Sequence, residues 1–314
     1  MGNPFPFSDD NKRYHAYAYA LRQRFGGRVA RVPLDGGFTC PNRDGAKGTG
    51  GCAFCSGRGS GDQIAALPSL RAQYDAGRAK LAAKWPDARY IPYFQAFSGT
   101  YAPAARLRAL YAEALALPGA VGLAVATRAD CVTEEAAALL GGIAARTHLT
   151  VELGLQTASD STARRMNRCE TRQAFLEGLY RLHAHGVPAW VHLINGLPGE
   201  TAEDMRGSAR FIAGLPVQGV KIHLLHVLRG TPLAAAYAAG GFETMAREDY
   251  VSVVCDQLEL LPPGMVIGRL TGDGPAGDLI APLWSRRKRE ALNAIDQELA
   301  RRDSWQGKFC RKIP

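Results

Sequence analysis

The chain alternates short β-prone runs with helical ones over most of its 314 residues. Runs rich in β-branched and aromatic residues predict six strands, at 28–34, 89–95, 121–126, 148–156, 188–195 and 217–227. Helical patterns lie between them, at 70–84, 104–117, 134–146, 161–185 and 201–213. Because parallel strands need crossover connections, this alternation predicts βαβ units in an α/β sheet that either opens or curls toward a barrel.

The regular alternation of strands and helices ends near residue 230. Helical patterns then dominate, at 232–239, 247–261 and 287–302, with one short strand at 265–270. We therefore predict an N-terminal extension over 1–27, a core over 28–230, and a C-terminal extension over 231–314 that packs on the core.

Charge and composition narrow the class of protein. A net charge of +9, from 38 Lys+Arg against 29 Asp+Glu, suits an anionic partner such as nucleic acid, and equally suits an arginine-rich surface without one. The sequence has no apolar run of 18 residues and no signal-peptide pattern at its start. These features predict a cytoplasmic protein with no membrane partner.

Three of the seven cysteines lie within sixteen residues of one another. Eleven residues separate Cys40 from Cys52, and two separate Cys52 from Cys55. In a cytosolic chain, this grouping favours a metal site or catalysis over disulfides. The cysteine segment directly follows the first predicted strand, and active sites of parallel α/β folds form at that end of the strands.

The number of clustered cysteines is informative about the metal. Structural zinc sites usually have four protein ligands, and ordinary [4Fe–4S] sites use four cysteines. Three thiolates leave one iron of a [4Fe–4S] cluster open for S-adenosylmethionine (SAM), which one electron would cleave to a 5′-deoxyadenosyl radical. Phe54, between the last two cysteines, could cover the cluster or the adenine. The alternative is zinc with a fourth ligand from elsewhere in the chain, such as His15 or another cysteine.

The cysteine segment and later motifs resemble the radical SAM superfamily, in the branch related to the Elongator catalytic subunit. The similar segments are 93–103, 127–131, 152–157, 192–200, 221–226 and 269–273, and the resemblance spans about residues 12–300. It is strongest to a short bacterial family that lacks the acetyltransferase domain of the Elongator subunit. The resemblance implies a partial (β/α)6 TIM-like barrel with a mainly helical C-terminal extension, using a [4Fe–4S] cluster and SAM.

The resemblance also implies a substrate. The bacterial family is associated with the C5 side chain of transfer RNA wobble uridine, converting carboxymethylaminomethyl to aminomethyl. This makes tRNA the expected partner, with a reductant such as flavodoxin or ferredoxin. Two alternatives stay open: a radical SAM enzyme acting on a small molecule or peptide, and a zinc-stabilised RNA-binding module without catalysis.

Several cofactor contacts follow from the resemblance. Ser98, Gly99 and Thr100 would hold the SAM amino group, and Arg168 would pair with its carboxylate unless it is a surface arginine. Ile194 lies at the end of the fifth strand and Gly196 directly after it, where glycine permits a close approach of the backbone to adenine. The simpler reading of that segment is a strand-to-helix turn with Thr201 as N-cap.

Polar residues also lie on single faces of predicted strands. Glu152 and Gln156 share a face of the fourth strand. By resemblance, Gln156 would contact the SAM ribose and Glu152 would line the same side of the SAM cavity. The alternative is a buried hydrogen-bond network that supports the barrel. Lys221 and His223 share a face of the sixth strand, and with His192 they are candidates for a substrate floor that contacts a carboxylate or phosphate. Arg128, Arg229 and Arg269 are similar candidates.

The remaining cysteines, Cys131, Cys169, Cys255 and Cys310, have no chelating spacing, and each is predicted to be a small buried residue or a simple thiol. Cys169 and Glu170 stand where the family commonly has Gly-His, and Ala129 stands where it commonly has Pro.

Overall fold

The computed structural model describes residues 3–272, 274 and 277–310, so Asp273, the end of the 269–273 motif, lies outside the described residues. The helices are α1 Tyr17–Phe25, α2 Leu70–Ala82, α3 Ala104–Leu115, α4 Glu134–Ala144, α5 Asp160–Arg165, α6 Arg172–Ala184, α7 Ala202–Ala213, α8 Pro232–Ala238, α9 Arg247–Leu260 and α10 Lys288–Arg301. The strands are β1 Val29–Leu34, β2 Arg89–Phe94, β3 Gly122–Thr127, β4 His148–Gln156, β5 Ala189–Asn195, β6 Gly219–Leu224, β7 Val227–Leu228, β8 Val266–Arg269 and β9 Leu279–Ala281. Within the described residues, no helix is long and apolar enough to span a membrane.

Seven strands form the main sheet, in the order β1-β2-β3-β4-β5-β6-β8. The pairs β1–β2, β2–β3, β3–β4 and β6–β8 are parallel, as βαβ connections require. The predicted α/β class and partial TIM-like barrel are therefore confirmed.

The local sequence explains which face of a strand is buried and where the helices begin. In β1, buried Ala30, Val32 and Leu34 alternate with half-buried residues, which is the period-two pattern of a strand with one face in the core. A serine or threonine accepts a backbone hydrogen bond as N-cap of α2, α4, α5, α6, α7 and α8. These caps fix the helix starts immediately after the loops that follow the strands.

The chain forms two compact units. The cysteine-loop unit comprises Leu21–Leu155 and Cys169–Trp190, and the C-terminal unit comprises Met1–Ala20, Gln156–Arg168 and Val191–Pro314. The division into parts at residues 27 and 230 stays a prediction.

In the C-terminal unit, the N-terminal segment covers the edge of the sheet. Ile267 on β8 donates its N–H to the carbonyl of His15 at 2.8 Å, and Gln306 N–H donates to the carbonyl of Arg13 at 2.9 Å. Lys12 pairs with the buried carboxylate of Asp296 at 2.9 Å. The N-terminal segment thus pairs with the edge strand, which would otherwise present unpaired backbone groups, and the C-terminal chain holds that segment in place.

The helix predicted over 161–185 is interrupted. It forms two helices, α5 and α6, because Asn167 and Cys169 adopt left-handed backbone conformations, with φ of 50° and 49°. Thr171 then caps the new helix, accepting the N–H of Ala174 at 3.1 Å. Glycine, which the related family has at position 169, suits this conformation better than cysteine does.

Two strand predictions also change. The short strand predicted at 265–270 joins the main sheet beside β6, instead of belonging only to a helical extension. The strand predicted over 217–227 ends at Leu224, and Val227–Leu228 forms a separate antiparallel pair with β9. A two-residue strand carries too short a pattern for periodicity to reveal.

His148, at the start of β4, predicts a pH dependence of stability. Its imidazole meets the edge of Phe25 at 5.5 Å, and burial, followed by the charges of Arg24 and Arg31, lowers its pKa to about 4. An unfolded histidine titrates near pH ~6.5, so the unfolded state takes up the proton first, and stability falls as the pH drops from about 6.5 toward 4. The gap in Tm between pH 7.5 and pH 5 should therefore narrow in His148→Gln. His183→Gln, at an exposed position, is the control that should retain the wild-type gap, and equal gaps in all three proteins would contradict the assignment.

Candidate active site

The three clustered cysteines lie on the loop between β1 and α2, which has neither helix nor strand. Cys52 is buried, and Cys40 and Cys55 are half-buried. All seven cysteines of the chain lie within the described residues, and each is a thiol rather than half of a disulfide. Phe54 is half-buried on the turn in which Cys55 N–H donates to the carbonyl of Cys52 at 2.9 Å.

Backbone hydrogen bonds fold this cysteine loop back on itself. The carbonyl of Asn42 accepts the N–H of Gly51 at 2.8 Å, which returns the chain to Asn42 just before Cys52. Gly51 has a φ of +78°, and a Cβ there would lie 2.7 Å from Nε of Arg43, so both the backbone and the space require glycine. The glycine-rich spacing is therefore what closes the loop.

Arg43 fastens the loop beyond the last cysteine. Its guanidinium donates to the carbonyl of Ser56 at 2.7 Å and lies 5.6 Å from the centre of the Phe97 ring. Cys55 is thus held between two constraints, the turn from Cys52 and the carbonyl of its successor.

Among the described residues, no three His, Cys, Asp or Glu side chains are placed to hold a single metal ion. A [4Fe–4S] cluster needs no such convergence, because each cysteine binds a different iron. Three thiols on one closed, glycine-rich loop are the donor set that such a cluster takes, so the residues fit it. His15, named as a possible zinc ligand, stacks on Phe7 at 4.9 Å, and its Nδ1 lies 3.2 Å from the carbonyl oxygen of Gly264.

An ion-pair network ties the cysteine loop to the end of β3. Asp130 accepts two hydrogen bonds from Arg128, at 2.9 and 2.8 Å, and one from Lys47 of the loop at 2.7 Å. Burial raises the pKa of Asp130, but the bonds from Arg128 and Lys47 outweigh it and hold that pKa below its usual value. Arg128 also donates to the carbonyl of Cys169 at 3.2 Å. The contacts of Arg128 therefore hold Asp130, the partner of Lys47, next to residue 169.

The segment Ser98–Gly99–Thr100 lies beside the first cysteine. Ser98 N–H donates to the carbonyl of Thr39, the neighbour of Cys40, at 3.2 Å. A Cβ on Gly99 would lie 2.8 Å from the carbonyl oxygen of Ala126, so only glycine allows this packing. Thr100 Oγ1 is 2.6 Å from Thr127 Oγ1 and donates to the carbonyl of Cys131 at 2.9 Å.

Glu152 is fully buried within an internal polar layer. One carboxylate oxygen accepts from Arg31 of β1, and the other accepts from the hydroxyl of Tyr93. The Arg31 guanidinium also donates to Thr150 at 3.1 Å and lies 5.4 Å from the Trp190 ring. These contacts are those of a supporting network, and they favour that alternative for Glu152 over direct contact with SAM.

In the C-terminal unit, Gln156 has a left-handed backbone, with a φ of 71°. Its Oε1 is buried, and within the described part of the chain no donor reaches it. A buried carbonyl oxygen without a donor lowers the stability of the fold unless a ligand donates a hydrogen bond to it. A ribose hydroxyl is a donor of this kind. Arg168 is only 4% exposed, so the surface alternative for this residue is wrong.

The turn after β5 combines a cap with close packing. Thr201 and Asp204 form a capping box for α7, which confirms Thr201 as the N-cap. A Cβ on Gly196, whose φ is +85°, would lie 3.0 Å from Cγ of Met245, so this glycine is covered by methionine. Ile194 is half-buried on β5, as is His192 two residues earlier.

The turn is joined to the end of β4 by Glu200. Its carboxylate accepts from the hydroxyl of Thr157, the residue after Gln156. Burial raises the pKa of Glu200, and the hydrogen bonds from Thr157 and Thr162 only partly offset it.

The three predicted floor residues come together in the same unit. The rings of His192 and His223 are 5.0 Å apart, and Lys221 pairs in register with Arg269 of β8. Lys221 is 8% exposed. A Cβ on Gly272 would lie 3.5 Å from Nδ1 of His226 and 3.7 Å from Nδ1 of His223. His226 lies beyond β6, which ends at Leu224.

Sequence reasoning missed Arg31, Asn42 and Arg43. Arg31 had one usable signal, since it is a lone charge in an otherwise apolar strand. Asn42 and Arg43 act through the closure of a loop, which no periodicity reports. Cys131 and Cys255 are buried, as predicted for small apolar residues, whereas Cys169 is exposed.

Comparison with known proteins identifies the class. Residues 44–212 match the Radical SAM superfamily, and residues 217–301 match the Radical_SAM C-terminal domain. The chain belongs to the radical SAM superfamily and is a radical SAM enzyme. Membership confirms, at the level of the family, the two predicted cofactors, SAM and a [4Fe–4S] cluster.

Individual relatives refine this assignment. YtqA of Bacillus subtilis (strain 168) is 47% identical over 314 residues, covering all of this chain and 98% of YtqA. Elongator complex protein 3 of Dictyostelium discoideum is 28% identical over 159 residues, covering 49% of this chain and 28% of that protein. The solved structure of archaeal Methanocaldococcus infernus Elp3, with an N-terminal deletion, shares the fold with a TM-score of 0.63 at 17% identity, covering 88% of this chain and 64% of its own. The resemblance to the Elongator branch is confirmed.

Substituting Asp130 should cost more free energy of unfolding than substituting its exposed partner Lys47. Asp130→Asn removes the carboxylate that accepts two hydrogen bonds from the buried Arg128 guanidinium, and should lower the free energy of unfolding by about 3 kcal/mol. Lys47→Met removes a contact from a side chain that is 43% exposed, and should cost less than about 1 kcal/mol. Urea unfolding of both variants measures the difference, and equal losses would contradict this account.

Proposed function

We propose that Cys40, Cys52 and Cys55 bind the [4Fe–4S] cluster and that the enzyme modifies the C5 side chain of tRNA wobble uridine, converting carboxymethylaminomethyl to aminomethyl. The observation that carries the cluster assignment is the closed loop, which gathers three reduced thiols on one turn-rich segment. The substrate assignment rests on the similarity to the Elongator subunit and on the net charge of +9.

With cluster and SAM bound, reductive cleavage of SAM supplies a 5′-deoxyadenosyl radical that removes hydrogen from the substrate. The chain's own residues bind and orient. Arg43 and the Lys47–Asp130 pair hold the cysteine loop in place, and Ser98–Gly99–Thr100 line the side of Cys40. The Gln156 Oε1 would accept from the SAM ribose, and the Arg168 guanidinium would pair with the SAM carboxylate.

The residues of the substrate floor fit an anionic group. Lys221 and Arg269 place two cationic side chains in register on neighbouring strands, and His192 and His223 add two imidazoles beside Lys221. A carboxylate, as on a carboxymethylaminomethyl group, or a phosphate is the partner such donors take.

Two further proposals concern the setting of the enzyme. The electron that reduces the cluster comes from a small redox protein such as flavodoxin or ferredoxin. The grouping of Cys40, Cys52 and Cys55, typical of a metal site rather than of disulfides, fits the cytoplasm, where thiols persist.

Cluster binding is tested by anaerobic reconstitution with iron and sulfide. Wild-type protein should become brown and cleave SAM when reduced with dithionite, and Cys55→Ala should lose both properties because a ligand is gone. Cys310→Ala, outside the cysteine loop, should keep both. A colourless wild-type protein with stoichiometric zinc would support the zinc-stabilised RNA-binding module instead.

The substrate floor is tested by separating substrate binding from SAM cleavage. Lys221→Met should raise KM for the modified tRNA about tenfold or more, since a charge-assisted contact worth roughly 1.5 kcal/mol or more is lost. SAM cleavage without substrate should persist. An unchanged KM would remove Lys221 from the floor.

The RNA assignment is tested in cells by mass spectrometry of wobble nucleosides. A deletion strain should accumulate carboxymethylaminomethyluridine and lose aminomethyluridine, and a plasmid carrying the wild-type gene, but not the Cys55→Ala form, should reverse this. Unchanged nucleosides would point to a small-molecule or peptide substrate for the same cluster chemistry.

A further inference from the structure

Asn42 lies inside the cysteine loop, two residues after Cys40, and its side chain is wholly buried. The Nδ2 atom is 3.7 Å from Sγ of Cys52, within reach of an N–H···S hydrogen bond. The sulfur concerned is one of the three proposed cluster ligands. A buried amide directed at a ligand sulfur acts on the cluster itself, because hydrogen bonds to cluster sulfurs influence its reduction potential.

Backbone hydrogen bonding and close packing hold Asn42 beside Cys52. The carbonyl of Asn42 accepts the N–H of Gly51 at 2.8 Å, so Asn42 and the residue before Cys52 are joined directly. On the other side, the Oδ1 atom packs against Gly48, where a Cβ would lie 2.5 Å away. A thiolate has no proton to donate, so the amide presents its N–H, and not its oxygen, to Cys52.

The effect of this contact differs between the two redox states. Reduction adds one electron, which increases the negative charge on the cluster and its thiolate ligands. An N–H dipole directed at a sulfur stabilises that added charge, and the reduced state gains more than the oxidised one. We propose that Asn42, through its hydrogen bond to Cys52, raises the reduction potential of the [4Fe–4S] cluster and so makes it reducible by a biological donor. The proposal rests on the assignment of the cluster to the three cysteines.

The chain offers a matched control. Gln73 is also a buried amide, and its Nε2 donates to the carbonyls of Asp35 and Leu67, near the two ends of the same loop, at 3.3 and 3.1 Å. Its Oε1 also accepts the N–H of Asp35 at 2.8 Å, so all of these hydrogen bonds involve backbone groups rather than a sulfur. Replacing either amide by leucine removes a buried polar group that braces the loop, and only Asn42→Leu removes a contact to a cluster ligand.

The test is a potentiometric titration of the anaerobically reconstituted full chain, with dithionite as reductant and the reduced cluster followed by electron paramagnetic resonance. At the wild-type midpoint, Asn42→Leu should lower the ratio of reduced to oxidised cluster about tenfold, as expected for one hydrogen bond to a charged acceptor. For a one-electron couple, that factor is about 59 mV toward more negative potential. Asn42→Asp, of nearly the same volume and without the N–H donors, should shift the midpoint in the same direction, and Gln73→Leu should leave it unchanged.

The outcomes separate this proposal from the proposed function. Loaded Asn42 variants with the wild-type midpoint would overturn the role of Asn42 while leaving the cluster assignment in place. An equal shift in Gln73→Leu would also overturn it, because loop bracing rather than the sulfur contact would then set the potential. A wild-type protein that takes up no iron and sulfide would overturn both assignments.

Discussion

The hydrogen bond from Gly51 N–H to the carbonyl of Asn42 is the constraint on which the cysteine loop depends. It closes a segment that has no helix or strand of its own and places Cys52 next to the Asn42 side chain. Its geometry requires a residue with a φ of +78° and no Cβ at position 51. The same bond therefore links backbone conformation, the position of a metal ligand and the proposed electrostatics of the cluster.

Fixed charges then hold the loop against the unit that carries it. Lys47 reaches Asp130, which Arg128 binds through two hydrogen bonds, and Arg43 secures the chain beyond Cys55. Burial makes a network of this kind costly to break, because an unpaired guanidinium left inside the protein cannot recover its hydration. Arg31 and Glu152 follow the same logic deeper in the sheet, where they support the fold.

The C-terminal unit assembles a different set of groups. The end of β4, the turn after β5 and the strands β6 and β8 bring Gln156, Arg168 and the substrate-floor residues into one compact unit. This unit holds a buried acceptor at Gln156 and a pair of cationic side chains in register, Lys221 and Arg269. The proposed roles toward SAM and an anionic substrate rest on these groups.

Local periodicity and spacing were sufficient to predict six strands with helices between them, Thr201 as a helix cap and the three-cysteine motif. The three-dimensional fold alone reveals the break before α6, since left-handed Asn167 and Cys169 carry no glycine to signal it. It also decided that β8 joins the sheet beside β6, which sets Arg269 against Lys221, and that Arg31 and Tyr93 engage both oxygens of Glu152. Such pairings depend on contacts between residues far apart in the chain, which a local pattern cannot encode.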